Sequence, residues 1–369
     1  MILVHGTSCL VKNGRIQNID GQFPPVENSI ITTQYKMQSV PLVSVIIVTW
    51  NSKKHLSICM DHFLTQTFHD FELILVDNGS EDHALDELQE KYPPLRLHIE
   101  RLDANLGFAV ANNIGASLAC GKWLALLNAD AFPEPDWLEQ LLQATDQNPE
   151  CSFFASRQIQ FNTPNLLDGA GDAYHISGLA WRNGYNLPLE KYGFQQKEVF
   201  SPCAAAALYW REEFLKVGGF DEDYFSYFED VDLGFRLRLM GKKCLYVPQA
   251  VVYHVGSAST GKRSDFSVYY GYRNLIWTFI KNMPSPLIWL YLPLHIGTLL
   301  FFSVYLTFRG QGRAIWRAIF DAYRDLPKIM AKRRMIHQNL ENKSSDLLRV
   351  MSTGLFEPYV EFMRRNRRK

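Results

Sequence analysis

Residues 124–133 read LALLNADAFP, an apolar run that stops at Asn128 and Asp130, one residue apart, with Pro133 three residues further on. A strand rich in buried side chains ends where its backbone reaches solvent, and the small Ala129 between the two polar residues lets both side chains project from one strand-end turn. Oxygen groups so placed suit a hard divalent cation and a phosphorylated ligand. An Asx-type turn that merely ends the strand accounts for the same residues, so the pair takes its meaning from its surroundings.

Outward from this stretch, three more apolar runs precede it: LVSVIIV (42–48), FELILV (71–76) and LRLHI (95–99), with WLALL (123–127) as the fourth. Between them lie amphipathic stretches such as KKHLSICMDHFLTQ and FAVANNIGASLAC, the latter closed by Gly121 as a helix stop. A βαβα series of this kind predicts a mostly parallel sheet with helices on both faces. Ligands bind such sheets beyond the carboxyl ends of the strands. The residues there are TWN (49–51), DNGS (77–80), DANLGF (103–108) and NAD (128–130), four polar, turn-forming ends that predict one shared crevice.

Length and composition frame this reading. The chain of 369 residues is 47% hydrophobic and 13% aromatic, enough for a sizeable core. Its formal net charge of zero argues against a nucleic-acid binder, although 15 Lys and Arg stand against 6 Asp and Glu from Arg309 to the end, a net of +9 confined to the C-terminal region. Six cysteines without a CxxC pair predict free thiols in a reducing compartment. The first twenty residues lack a basic start followed by a long apolar segment, which predicts no cleaved secretion signal. No GxGxxG follows the first run and no GxxxxGK[ST] is present, which disfavours a nicotinamide-dependent oxidoreductase and a P-loop hydrolase.

The densest polar cluster lies downstream. EDVDLGFRLRLMG (229–241) predicts a helix with Glu229, Asp230 and Asp232 in its first turn and Gly241 at its end; acids at that end also favour the helix dipole, a purely structural account. The strand AVVYH then ends in His254, which on its own is a packed or capping histidine.

Taken in order, VSVIIVTWN, LILVDNGSED, NLGFAVANNIGA, LLNADAFP, GGFDEDYFSYFEDVDLGFRLRLMG and YHVGSAS resemble the family 2 glycosyltransferases, in particular their rhamnosyltransferase-like branch, over about residues 42–275. The resemblance implies an α/β GT-A fold, here at 41–275; residues 1–40, weakly patterned with a loop signal at QFPPVENS, read as an N-terminal extension, and the apolar and basic residues 276–369 as a C-terminal helical, membrane-associating region. By that analogy Thr49, Trp50, Asn51 and Asp77 line the base and ribose site, and Asn105, Gly107 and Asn112 lie near ribose and phosphates. Asn128 and Asp130 stand where the family has an Asp-any-Asp motif, and His254 matches a second ligand for Mg²⁺ or Mn²⁺. The Asn at the first motif position is a departure that leaves Asp130 as the charged ligand. Asp230 is implied as the general base of an inverting displacement, with Glu229 as runner-up, and Arg273 with Asn274 as residues that reach the diphosphate or the acceptor. A helix packing Tyr270, Leu275 and Trp277 on the core explains the Arg273 segment equally well.

The implied activity moves a sugar, rhamnose favoured, from a nucleoside-diphosphate sugar to a glycan or lipid-linked acceptor for cell-surface polysaccharide. Two alternatives remain: a transferase using another UDP- or GDP-sugar, and a degenerate sugar-nucleotide-binding subunit. Residues 284–308 contain no charged side chain, but Pro284, Pro286 and Pro293 predict a break or kink, so a re-entrant or interfacial helical pair is expected. Arg313, Arg317, Lys332, Arg333 and Arg334 would then meet anionic head groups at the inner face of the plasma membrane, on the cytoplasmic side.

Overall fold

The computed structural model describes residues 10–12, 15–17, 39–86, 88–256, 264–338 and 344–366. Of the expected N-terminal extension only the antiparallel pairing of Leu10–Lys12 with Arg15–Gln17 and residues 39–40 fall within that range; Cys9 and the end of the YHVGSAS motif lie outside it.

The first half is the expected alternation. β1 (Val43–Thr49), α1 (Lys53–Leu64), β2 (Phe71–Asp77), β3 (Leu97–Arg101), α2 (Phe108–Leu118) and β4 (Trp123–Leu127) follow in order, and β1 pairs in parallel with both β2 and β4 while β3 adds outside β2. β1 is β-branched along most of its length because both faces are covered. Val43, Val45 and Ile47 face a cluster with Leu56, Met60 and Phe63 of α1, whereas Ile46 faces the opposite cluster with Ala109, Ala111 and Ala116 of α2. Each strand starts within two residues of its apolar run, the largest offset being at β3.

The second half departs from a simple parallel sheet. β5 (Ala131–Pro133), α3 (Trp137–Gln147), β6 (Cys151–Gln160), β7 (Leu167–Ala170), β8 (Asp172–Tyr174), β9 (Ala180–Arg182), β10 (Lys197–Val199), β11 (Ala206–Trp210), α4 (Arg211–Lys216), α5 (Glu229–Leu239) and β12 (Lys243–His254) complete the domain. The main path runs β10-β12-β6-β11-β4-β1-β2-β3, with β5 on β12 and β7 on β6, and β11 is antiparallel to both β4 and β6. That insertion places β12, and His254 at its end, beside Ala131 of β5, just past the end of β4.

α6 (Asp265–Asn282) runs across the division expected at 275/276 and is anchored to the preceding α/β half by ions. Its Lys281, fully buried, pairs with Asp221 and, at 2.7 Å, with Asp232, which also holds Arg236 at 2.8 Å. α7 (Ser285–Leu306) is unbroken through Pro293, and the chain turns back at Gly310 (φ 83°), where a left-handed residue costs glycine little. Phe279 stacks on His295 at 4.0 Å and Tyr272 meets Phe302 at 6.1 Å, so α7 descends along α6. α8 (Gly312–Arg324) climbs back, Trp277 Nε1 donating to the Ala322 carbonyl at 3.2 Å. α9 (Leu326–His337), α10 (Ser344–Val350) and α11 (Glu357–Asn366) close the chain.

Two details correct the sequence reading. The prolines do not divide α7: Pro284 and Pro286 sit at its start, where a missing N–H costs nothing, and the helix continues through Pro293 inside it. Lys332 and Arg333 are not available to head groups: Lys332 pairs with Asp221 and Asp223, and Arg333 donates to the carbonyls of Ile280 and Met283, both at 2.6 Å, at the end of α6.

Candidate active site

Two cavities meet at the end of β4. One of about 780 Å³ is lined by Trp50, Asn51, Asn78, Asn105 and Gly107, all from turns after β1, β2 and β3. The other, of about 440 Å³, is lined by Trp181, Arg182, Glu229, Asp230 and His254. Asn128 and Asp130 line both, as do Phe108 and Ser226, so the polar pair of the opening stretch stands at the junction.

The turns of the larger cavity are tied to one another. Asn78, buried at the end of β2, donates to Asn105 Oδ1 at 3.0 Å and accepts from the Leu106 N–H at 2.8 Å; Asn51 Oδ1 accepts from the Glu81 N–H at 3.0 Å. Asp77 accepts from the Ser80 N–H at 3.0 Å and stands 3.6 Å from Arg101. Gly107 has φ 90°, and a Cβ there would lie 2.7 Å from the Phe225 carbonyl oxygen, which accepts from the Phe108 N–H; only glycine fits.

At the junction, His254 Nε2 is 3.4 Å from Asp130 Oδ1 and 3.4 Å from the Asn128 side-chain amide. Its Nδ1 is 2.8 Å from Asp168 Oδ2, and Asp168 in turn pairs with Arg182. Burial disfavours the imidazolium, but the two carboxylates outweigh it and hold the His254 pKa up at about 9 in the absence of a cation. Burial likewise opposes ionisation of Asp130, and His254 overcomes it, keeping that carboxyl below its ordinary value.

One carboxylate and one imidazole at a cleft, completed by diphosphate oxygens and water, fit a Mg²⁺- or Mn²⁺-type ion, while Asn128 turns its Nδ2 and not its oxygen toward His254. A second cluster, Asp172, Cys203 and Asp230, brings its potential ligand atoms within 4.8 Å. It fits such an ion less well, because burial pushes the Cys203 thiol far up and a thiol is a soft ligand.

Glu229 and Asp230 open α5 after a loop in which Phe225, Tyr227 and Phe228 all have φ between 63° and 69°. Such left-handed residues each cost about 1–3 kcal/mol and persist only where the surroundings impose them. Asn274 does so: its Nδ2, wholly buried, donates to the carbonyls of Tyr224 (3.0 Å), Ser226 (3.0 Å) and Tyr227 (2.7 Å), and Arg273 adds the Asp223 carbonyl at 2.8 Å. Asp230 Oδ2 accepts from the Ala204 N–H at 3.0 Å and Oδ1 from the Val231 N–H at 2.8 Å. Burial raises both carboxyls, Glu229 well above the usual range because Asp230 adds a like charge.

Of the residues expected at the site, Trp50, Asn51, Asn105, Gly107, Asn128, Asp130, Glu229, Asp230 and His254 line the joined cleft. Thr49, Asp77, Asn112 and Arg273 line neither cavity. Asn112 is buried within α2 and donates to the Phe108 carbonyl, and Arg273 lies over the Trp277 ring, 4.2 Å from its centroid. Arg273 and Asn274 therefore hold the loop before Asp230 from behind and do not reach into the cleft. Asn78, Asp168 and Arg182 were not expected. Asn78 stands within the quoted DNGS turn and was within reach of the sequence, whereas nothing local marks Asp168 or Arg182.

Residues 44–216 match the family model described as glycosyl transferase family 2. The chain is 31% identical over 248 residues to an N-acetylglucosaminyl-diphospho-decaprenol L-rhamnosyltransferase of Mycobacterium tuberculosis, 60% of this chain and 78% of the relative. It is 28% identical over 240 residues to the O-antigen biosynthesis protein RfbC of Myxococcus xanthus, 63% of this chain and 18% of that protein. Among solved structures, S. aureus TarS 1–349 in complex with UDP matches with a TM-score of 0.52 at 18% identity over 80% of this chain and 86% of that one. GalNAc-T7 with UDP, GalNAc and Mn²⁺ matches with a TM-score of 0.55 at 18% identity over 67% of this chain and 49% of that one, so this chain spans about half of it. At these identities the two structures bear on the fold alone.

Proposed function

The chain belongs to the family 2 glycosyltransferases, in a GT-A fold with a C-terminal helical region, and on that premise we propose that it is a cation-dependent inverting transferase. Its substrates are a nucleoside-diphosphate sugar, rhamnose favoured, and a hydroxyl of a glycan or lipid-linked acceptor. The observation that carries this reading is the junction: the cavity holding Asp230 and the cavity built from the β1, β2 and β3 turns share Asn128 and Asp130.

The donor nucleotide lies in the larger cavity, against Trp50 and Asn51, with its diphosphate toward Asn128 and Asp130. Asp130 and His254 would hold a divalent ion there, which when bound would offset the charge that collects on the leaving diphosphate. Asp230 faces the opposite cavity, where the acceptor hydroxyl enters. Its carboxylate takes the hydroxyl proton as the oxygen attacks the anomeric carbon from the face opposite the diphosphate, which inverts that centre. The Ala204 and Val231 N–H groups keep Asp230 oriented, and burial raises its basicity toward the working range of a general base. Glu229, with Oε2 buried and unbonded, has its ionisation suppressed and is the weaker base.

The outer face of the α7–α8 hairpin supports attachment to a membrane surface. Trp289, Leu300, Phe308 and Phe320 are between 55% and 87% exposed, and Arg309, Arg313 and Arg317 accompany them. α7 is long and apolar enough to cross a bilayer, but one side of it is packed on α6, so the hairpin lies in the interface and brings the cleft to a lipid-linked acceptor at the cytoplasmic face.

Incubation with dTDP-rhamnose and Mn²⁺, followed by release of dTDP, tests the reading. Turnover should stop on chelation, resume on adding Mn²⁺, and be absent in Asp130→Ala. Full activity in excess chelator would exclude the cation site.

A further inference from the structure

His254 is the last residue of β12, and its main chain is fixed: it pairs with Ala131 and Gln160, and its carbonyl accepts from the Phe161 N–H at 2.9 Å. The sheet thus places the ring but does not decide which nitrogen carries the proton. An imidazole offers a lone pair at Nε2 only when the proton sits on Nδ1, and that choice follows from the group Nδ1 meets. Here Nδ1 meets Asp168 Oδ2 at 2.8 Å, while Nε2 faces Asp130 and Asn128 at 3.4 Å each.

The geometry points to Asp168 as a positioning residue that fixes His254 as the Nδ1–H tautomer and aims Nε2 at the cation position, with Arg182 holding Asp168 in turn. Asp168 lies in β7 and is itself buried, and Arg182 lies in β9, so both come from the segment between β6 and β11. Arg182 also lines the cavity of Asp230. Through Asp168 it joins the side of the cleft that holds the cation to the side that receives the acceptor. The inference rests on the cation reading above.

Two measurements on the full-length chain test it. The first is ¹⁵N NMR of histidine-labelled protein without metal, with pH raised until the His254 ring signals report the neutral form, His254 being assigned with a His254→Gln variant. The wild type should show the Nδ1–H tautomer, and Asp168→Asn should lose that preference. The second is Mn²⁺ binding followed by the EPR signal of free Mn²⁺. Asp168→Asn should bind roughly 10–100-fold more weakly, the usual cost of removing a carboxylate behind a ligating histidine. Asp168→Glu should recover part of that loss. An Nε2–H tautomer in the wild type would overturn the inference without any variant, which matters if Asp168→Asn fails to fold. Unchanged tautomer and unchanged Mn²⁺ affinity in a folded Asp168→Asn would also overturn it. A wild type that shows the Nδ1–H tautomer but binds no Mn²⁺ would instead refute the cation reading and confine Asp168 to orienting the ring.

Discussion

Asn274 Nδ2 donates to the Tyr227 carbonyl at 2.7 Å, and the same amide reaches the carbonyls of Tyr224 and Ser226. A single buried side chain thereby holds the run of left-handed residues that aims Asp230 into the cleft. Asn274→Ala removes the donor to the Ser226 and Tyr227 carbonyls, while the Tyr224 carbonyl keeps Arg273 at 3.1 Å, each lost bond costing about 1–3 kcal/mol where the group stays buried. We expect turnover to fall by at least tenfold and by more than the donor KM rises, because Phe225 and Ser226 of this loop form only one edge of the donor cavity. A variant with wild-type kcat and only a lower melting temperature would show that the loop needs no clamp.

The ion network around α6 predicts an acid limit to stability. Burial opposes the charged forms of Asp221 and Asp232, but Lys281, with Lys332 for the former and Arg236 for the latter, holds both carboxyls below their ordinary value. A carboxyl depressed on folding adds stability above its unfolded pKa of about 3.9, and that stability is lost as pH falls further toward the folded value. Urea midpoints should therefore decline gently below about pH 6.5, because burial keeps His295 and His337 neutral down to about 4, and drop further below about pH 4 as Asp221 and Asp232 lose their advantage. Asp232→Asn, which breaks a buried pair, should cost about 3–5 kcal/mol near neutrality and flatten the acid limb. An acid limb as steep as the wild type's would remove Asp232 from the account.

Much of this architecture was legible before any coordinates. The four parallel strands were readable because β1, β2 and β4 are apolar on both faces and their polar ends fall together, and β3 was displaced only because Leu95 and Arg96 belong to the approach to the strand. The antiparallel half was not readable, since β7 to β10 are three or four residues each and too short to show a period. Asp168 was invisible for the same reason: its role depends on β12 returning beside β6 from some 85 residues away, a relationship no local pattern encodes. Arg273 was misplaced because a conspicuous arginine in an aromatic helix suggests a phosphate ligand, while its carbonyl partners lie in another element.

The attachment surface predicts graded binding to anionic vesicles. At low salt, Arg313→Gln with Arg317→Gln should each lower the partition coefficient by about fivefold, since a basic residue near such a surface is worth about 1 kcal/mol. Phe308→Ser should lower it at any salt concentration. Flotation with and without added salt separates these contributions, and a wild-type chain that stays unbound at low salt would contradict the surface reading.

The family resemblance implies a pyrimidine donor, and Asp77, outside both cavities, would act on it by holding the turn after β2 through the Ser80 N–H at 3.0 Å. Calorimetric titration should give tighter binding of dTDP or UDP than of GDP, and Asp77→Ala should weaken the pyrimidine nucleotides selectively. Tighter binding of GDP would contradict this assignment.

The central claim is that Asp230 removes the acceptor proton at a cleft whose donor side it does not touch. Steady-state transfer from dTDP-rhamnose by Asp230→Asn, measured alongside calorimetric binding of dTDP, tests it most directly. The account predicts a loss of roughly 10²–10⁴ in turnover with nucleotide affinity unchanged. Wild-type turnover with intact nucleotide binding would contradict it and transfer the role to another group in the cavity.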